Sequence, residues 1–233
     1  MRRCVREMAK QIANRQNSTG PTIRPLDVLG RLSTSLGRRD EVPNQVLAAE
    51  IAAAGDRNAV QLLVDTLSSP SPKLHSDCIK VLYEVAERAP ELVADHCDAL
   101  AGLLQSRKNR LVWGAMIALD AIALSQPAAV ARLLPTIIAT ADRGSVITRD
   151  HAVGILVKLA EIKAYRGQCI PMLLRQLANC PDNQLPMYAE AAAPVFKSTQ
   201  SGQFTRLLTR RKSTLPKASQ QKRIARVLRQ LEK

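Results

Sequence analysis

Aromatic side chains are scarce in this chain: one Trp, three Tyr and two Phe among 233 residues, 3% of the total. A core organised around large rings is thereby excluded. The 46% of hydrophobic residues must pack chiefly as Ala, Leu, Val and Ile, types that suit closely layered helices. Cys4, Cys78, Cys97, Cys169 and Cys180 form no CxxC pair and are odd in number, so free thiols in a reducing, cytoplasmic compartment are expected rather than a disulfide framework. No apolar run approaches the roughly 18 residues needed to cross a bilayer, and the longest, Leu111 to Leu119, ends at Asp120. No transmembrane segment is expected. The opening Met1-Arg2-Arg3-Cys4-Val5-Arg6 is basic but lacks the apolar stretch of a secretory signal, and Glu7 and its shortness set it apart from an Arg-rich transit peptide.

Chemistry-bearing motifs are equally sparse. There is no Gly-rich phosphate loop, and His75, His96 and His151 stand near no recognisable nucleophile. The HxxC spacing of His75 and Cys78 has no second half-site, so neither a metal nor another cofactor is expected.

Charge is present in excess, and it is placed unevenly. The formal net charge is +14, which predicts attraction to polyanions but says nothing of the fold. Residues 1–39 carry nine Lys/Arg against two acids and residues 206–233 carry ten against one, leaving 15 against 17 between them. The surplus is terminal.

Self-similarity decides the fold class. Cys78, Ala115, Ala152 and Ala189 recur at 37-residue steps, as do Leu82, Leu119, Leu156 and Ala193. The columns Val85, Ile122, Leu159, Phe196 and Val81, Ala118, Ile155, Ala192 share that step, so offsets of 0, 3, 4 and 7 repeat four times. Those offsets define one face of a helix. A second apolar segment, marked by the doublets Leu62-Leu63, Leu103-Leu104, Ile137-Ile138, Leu173-Leu174 and Leu207-Leu208, lies between these helices. Each repeat is therefore two helices, A then B. Within a repeat they are separated by stretches such as Ser68-Ser69-Pro70-Ser71-Pro72 and Asp142-Arg143-Gly144-Ser145. Successive repeats are expected to join at Gly55-Asp56, Ala89-Pro90, Gln126-Pro127 and Arg166-Gly167.

Ala115, Ala118-Leu119 and Ile122-Ala123 resemble the second helix of HEAT repeats, and an interval near 37 is close to that family's length. The resemblance is to an architectural class and covers about Leu26 to Leu231. It implies an all-α, right-handed α-solenoid of about six HEAT-like helix-turn-helix repeats. A basic N-terminal arm or short helix with a linker is expected at 1–20 and a single solenoid domain at 21–233, clearest over 58–197 and closed by a basic capping repeat at 199–233. Lys197 breaks the small-residue column Ala86, Ala123, Ala160, and Pro194 should bend or shorten the fifth repeat.

With the apolar stripe turned to the core, intervening B-helix positions should face outward on a concave surface. The expected binding face comprises Ser76, Lys80, Tyr83, Trp113, Asp120, Asp150 and Met187. Trp113 and Asp120, seven residues apart, lie on one side of one helix; either they share a partner-binding groove with Tyr83, or Trp113 caps the hydrophobic layer and Asp120 is a solvated acid. The A-to-B turns carry a basic rim of Arg38, Arg39, Lys73, Arg107, Lys108, Arg110, Arg143, Arg210, Arg211, Lys212 and Lys217, while the turn near Asp182 has no cation. Residues 222–231 read as an amphipathic terminal helix.

These features point to a non-enzymatic scaffold that receives a protein partner or an acidic macromolecule, nucleic acid included. HEAT-like alkylpurine DNA glycosylases are the competing resemblance, under which Trp113 and Asp120 would be the catalytic residues. The chain's few aromatics fit their aromatic-rich groove poorly.

Overall fold

The computed structural model describes residues 25–197 and 201–232, so the expected arm at 1–20 lies outside the described residues. These residues form α-helices and one 3-10 turn: α1 (Pro25–Gly30), α2 (Val42–Ala54), α3 (Arg57–Leu67), α4 (His75–Arg88), α5 (Pro90–Val93), α6 (Cys97–Leu103), α7 (Asn109–Ile122), α8 (Pro127–Arg143), α9 (Val146–Glu161), α10 (Lys163–Asn179), α11 (Leu185–Lys197), α12 (Ser201–Thr214) and α13 (Ala218–Leu231). The B helices are α2, α4, α7, α9, α11 and α13. The remaining helices supply the A positions, with the third A segment split into α5, the turn Ala94–His96, and α6. The chain divides into two compact units, one ending at Val93 and the other beginning at Ala94.

The core is the one the columns imply. Cys78, Ala115, Ala152 and Ala189 are fully buried, as are the columns through Val81 and Val85. In the second unit α7 packs against α9, and α9 against α11. Small side chains at the head of each stripe let these helices approach closely. Phe196 stacks on Phe204, ring centroids 4.2 Å apart, joining α11 to α12.

Local chemistry sets the breaks. Gly55 ends α2 in the left-handed conformation (φ 64), its backbone N–H reaching back to the last turn. A side chain there would be strained. Asp56 follows as N-cap of α3, its carboxylate accepting from the Ala59 N–H at 3.0 Å. Ser145 caps α9 likewise, and prolines open α2 and α8. One junction differs from expectation: Arg166-Gly167 lies inside α10, and the break falls at Ile162, whose extended backbone (φ −82, ψ 117) separates α9 from α10. Glycine inside a helix costs only about 1 kcal/mol relative to alanine, which the buried Cys169, Ile170 and Leu173 of α10 readily offset. Pro194 sits inside α11, three residues before its end at Lys197.

Asp56→Ala should remove the α3 cap and lower stability by about 1 kcal/mol, read as a lower midpoint when helical circular dichroism is followed in urea. An unchanged midpoint would count against the cap.

Candidate functional site

The B-helix face of the second unit is a series of carboxylates, each engaged by the following B helix. Asp120, near the end of α7, has His151 Nδ1 2.8 Å from Oδ2 and Lys158 Nζ 2.9 Å from Oδ1. Lys158 also donates to the Asp120 backbone carbonyl at 2.7 Å. His151, Gly154 and Lys158 share one face of α9. Gly154 is the point of closest approach: a Cβ there would stand 2.8 and 2.9 Å from the two Asp120 oxygens. One repeat on, Asp150 accepts from the Tyr188 hydroxyl, and burial followed by that carboxylate pushes the Tyr188 phenol upward. Glu190 then accepts from Arg223 Nη2 at 2.6 Å and Nε at 3.0 Å, and from Arg226 at 2.9 Å. Arg223 first, then Arg226, hold the Glu190 carboxyl below its usual range against the opposing cost of burial.

The first unit has its own cluster. Lys80 and Tyr83, expected on the outward face, are only 6% and 7% exposed. Lys80 Nζ is 2.6 Å from Glu84 Oε1, 3.2 Å from Glu41 and 4.7 Å from the Tyr83 ring centroid. Paired between two carboxylates and lying over the Tyr83 ring, the ammonium can be buried. Burial raises the Glu84 carboxyl, but hydrogen bonds from Lys80 and Arg88 outweigh it and the net direction is downward.

Among the other expected face residues, Ser76, Asp150 and Trp113 are half-buried and Met187 is exposed. The Arg110 guanidinium lies 5.4 Å from the Trp113 ring centroid. Trp113 and Asp120 thus have separate partners. Asp120 is also not the solvated acid of the simpler expectation, since α9 covers it. This clamp is completed by His151, considered in the sequence only as a histidine with no nucleophile nearby, and by Gly154 and Lys158, which the sequence reading did not single out. Their signal was a polar–glycine–polar stripe set about one repeat after Asp120.

The basic rim divides into exposed and engaged members. Arg39, Lys73, Arg107, Lys108, Arg210 and Lys217 are exposed, Lys212 is half-buried, and Arg38 is held by Asp40 at 2.9 and 3.0 Å. Arg143 reaches back one repeat to the Leu104 carbonyl and Gln105. Arg211 departs most from expectation. Its side chain is 14% exposed and caps the end of α10 through the carbonyls of Leu177, Ala178 and Cys180 while pairing with Asp182 at 2.8 Å. The turn without a cation of its own takes one from the next repeat.

Among the described residues the thiols are buried and poor nucleophiles: burial pushes Cys78 up to about 12 and Cys97 and Cys169 up to about 11. Among the described residues no three His, Cys, Asp or Glu side chains group as a metal would require. A 460 Å³ cleft between α8 and α10, lined by Pro135, Ile138, Pro171 and Met172 with Asp142 and Arg175 at its edge, lies apart from the B-helix acids. Among the described residues no helix is long and apolar enough to cross a membrane.

Comparison with known sequence families and with curated proteins finds no match. Solved structures do match in fold. An engineered protein from a structural genomics consortium superposes with a TM-score of 0.57 at 19% identity, covering 90% of this chain and 97% of its own. A second engineered protein from that consortium gives 0.58 at 17%, covering 91% and 99%. A designed armadillo repeat protein in complex with the peptide (KR)4 gives 0.57 at 16%, covering 87% and 99%. The chain is an all-α repeat solenoid. At these identities the likeness is one of fold alone.

Two outcomes follow from the clamps. Gly154→Ala should push α9 off Asp120 and destabilise the protein by about 1–3 kcal/mol, measured by chemical denaturation; a neutral result would show that the contact is loose. Glu190 has a folded pKa below the unfolded value of 4.5, so its contribution is complete above that pH and is lost as pH falls through the lower folded value. Glu190→Gln should therefore melt lower at neutral pH and show a shallower decline below pH 4.5 than the parent.

Proposed function

We propose that the chain is a non-catalytic repeat scaffold that binds a protein or another acidic macromolecule through its B-helix face and its exposed basic side chains. One observation carries this reading: most of the acids are engaged, Glu87, Glu91 and Glu161 being exposed exceptions, while many cations are not. Glu84, Asp120, Asp150 and Glu190 each accept from neighbouring side chains. Arg206, Arg210, Lys212, Lys217, Lys222 and Arg229, on or beside α12 and α13, form no ion pair among the described residues. A carboxylate flanked by His151 and Lys158 is poorly placed to stabilise a cationic sugar, as a glycosylase reading of Asp120 and Trp113 would need. Cations left in water, by contrast, attract polyanions at long range.

The designed armadillo repeat protein in complex with (KR)4 supports the use of such a surface for an extended chain. With +14 net charge, the partner expected here has the opposite sign, because like charge would oppose association.

Retention on duplex DNA and on polyglutamate, measured across a salt series, tests the proposal. Affinity should fall steeply with salt, and Arg206→Gln with Arg210→Gln should lower the log–log slope on DNA by about 2. No base should be released from alkylated DNA. Salt-independent retention, or a slope indifferent to both substitutions, would remove the basic surface from the proposal.

A further inference from the structure

Two A helices of the second unit, α10 and α12, hold between them a cleft whose charge is not balanced. It measures 820 Å³, with the apolar side chains of Ile170, Pro171 and Leu174 on α10 and the polar ones of Lys163, Arg166 and Gln203 around them. Lys163 is exposed, and Arg166 is fixed by its bonds to the Ala160 and Glu161 carbonyls at 2.9 and 3.2 Å. No described Asp or Glu lines the cleft. Across Pro171 the 460 Å³ cleft differs, because Asp142 there pairs with Arg175 at 2.6 Å and neutralises it. The positive charge also continues along α12. Offsets of 0, 3 and 7 put Gln203, Arg206 and Arg210 on one face of that helix, and both arginines are exposed and form no ion pair among the described residues. Arg211, farther along α12, binds carbonyls at the end of α10. The two helices thus run side by side in one direction, with Arg206 and Arg210 along the groove between them.

Pro171 adds an acceptor. It has no N–H, so the carbonyl of Gly167, four residues earlier, lacks its usual helical donor. Gly167 lines the same cleft, and nothing stands within 4 Å of where its Cβ would be. From Lys163 to Leu174 the groove follows α10 for about 16 Å, the length of about three helical turns. Its chemistry selects the occupant. Nucleic acid would satisfy the cations, but its phosphates could not cover Ile170 and Leu174. A second copy of a chain with +14 net charge would be repelled. A segment carrying both carboxylates and bulky apolar side chains answers both features. We propose that this groove receives an acidic segment of a partner protein, its apolar side chains on Ile170, Pro171 and Leu174 and its carboxylates toward Lys163, Arg206 and Arg210. The proposal rests on the reading of the exposed α12 arginines as partner-binding cations, and adds the class of partner.

A displayed library of random twelve-residue peptides, selected on the full chain, is the probe. Enriched peptides should combine Asp or Glu with Leu, Ile or Phe. Made synthetically, they should bind Gly167→Glu about tenfold more weakly than the parent, since that side chain fills open space in the groove and repels their carboxylates. Gln168→Glu makes the same change of charge at an exposed position that faces elsewhere on α10, and should bind them almost as the parent does. Arg206→Gln with Arg210→Gln, both at exposed sites, should weaken them as well. Equal loss at positions 167 and 168, or enrichment of acidic peptides without apolar residues, would overturn the groove and leave salt-dependent attraction to the basic surface standing. Loss of that salt dependence would remove both readings. Absence of enrichment would overturn the proposal, and so would duplex DNA whose binding falls as much as the peptides' on Gly167→Glu, which would assign the groove to nucleic acid.

Discussion

The constraint on which the second unit depends is the narrow gap between successive B helices. Ala115, Ala152 and Ala189 are fully buried at the head of each stripe, and at Gly154 not even a methyl group fits beside the Asp120 carboxylate. Close approach brings the polar flanks of neighbouring helices within hydrogen-bonding range, so each helix must offer partners to the groups its neighbour buries. The bonds that answer this demand span about one repeat: Asp120 to His151 and Lys158, Asp150 to Tyr188, Glu190 to Arg223, and on the A helices Asp142 of α8 pairs likewise with Arg175 and Gln176 of α10. Nearest-neighbour linkage of this kind characterises a solenoid and gives it stability in increments rather than through one central core.

The same linkage shapes the electrostatics. Most acids in the middle of the sequence are drawn into side-chain pairs, while the surplus cations of the C-terminal segment outnumber the carboxylates paired with them. Arg211, Arg223 and Arg226 do find partners, as a carbonyl cluster with Asp182 and as Glu190. Arg206, Arg210, Lys222 and Arg229 remain in water. Exposed ion pairs contribute little to folding, so leaving these cations unpaired costs little stability and keeps their charge available to a partner. That is the physical basis for reading this surface as one of association and the B-helix acids as structural.

Periodicity made the core legible because burial on a repeated helix is a property of spacing. Columns built on Cys78, Val81, Leu82 and Val85 needed no knowledge of which helices touch. The positions between them did. Whether Lys80 is exposed depends on Glu41, 39 residues earlier, and on Glu84, a pairing that a single-helix projection does not contain. Arg211 was legible as a cation in a loop-like segment, but its task, capping α10 one repeat away, follows from how adjacent repeats are offset. Arg166-Gly167 misled for a related reason: glycine marks a break only where neighbouring burial does not hold it in a helix, and α10 is held by Cys169, Ile170 and Leu173. Register is thus readable from one repeat, while partnership is a property of two.

That distinction explains why the two termini of the array differ. At the C-terminus, α13 turns Ile224 and Val227 inward, gives Arg223 and Arg226 to Glu190, and leaves Lys222 and Arg229 to solvent. A helix with that division of labour can be last, since its free side is already polar. At the other end α2 has the sequence of an internal helix: Val42 and Val46 occupy positions that elsewhere on B helices are met by a neighbour, yet no described residue covers them. Exposed valines at such a site are unfavourable by the area they leave in water.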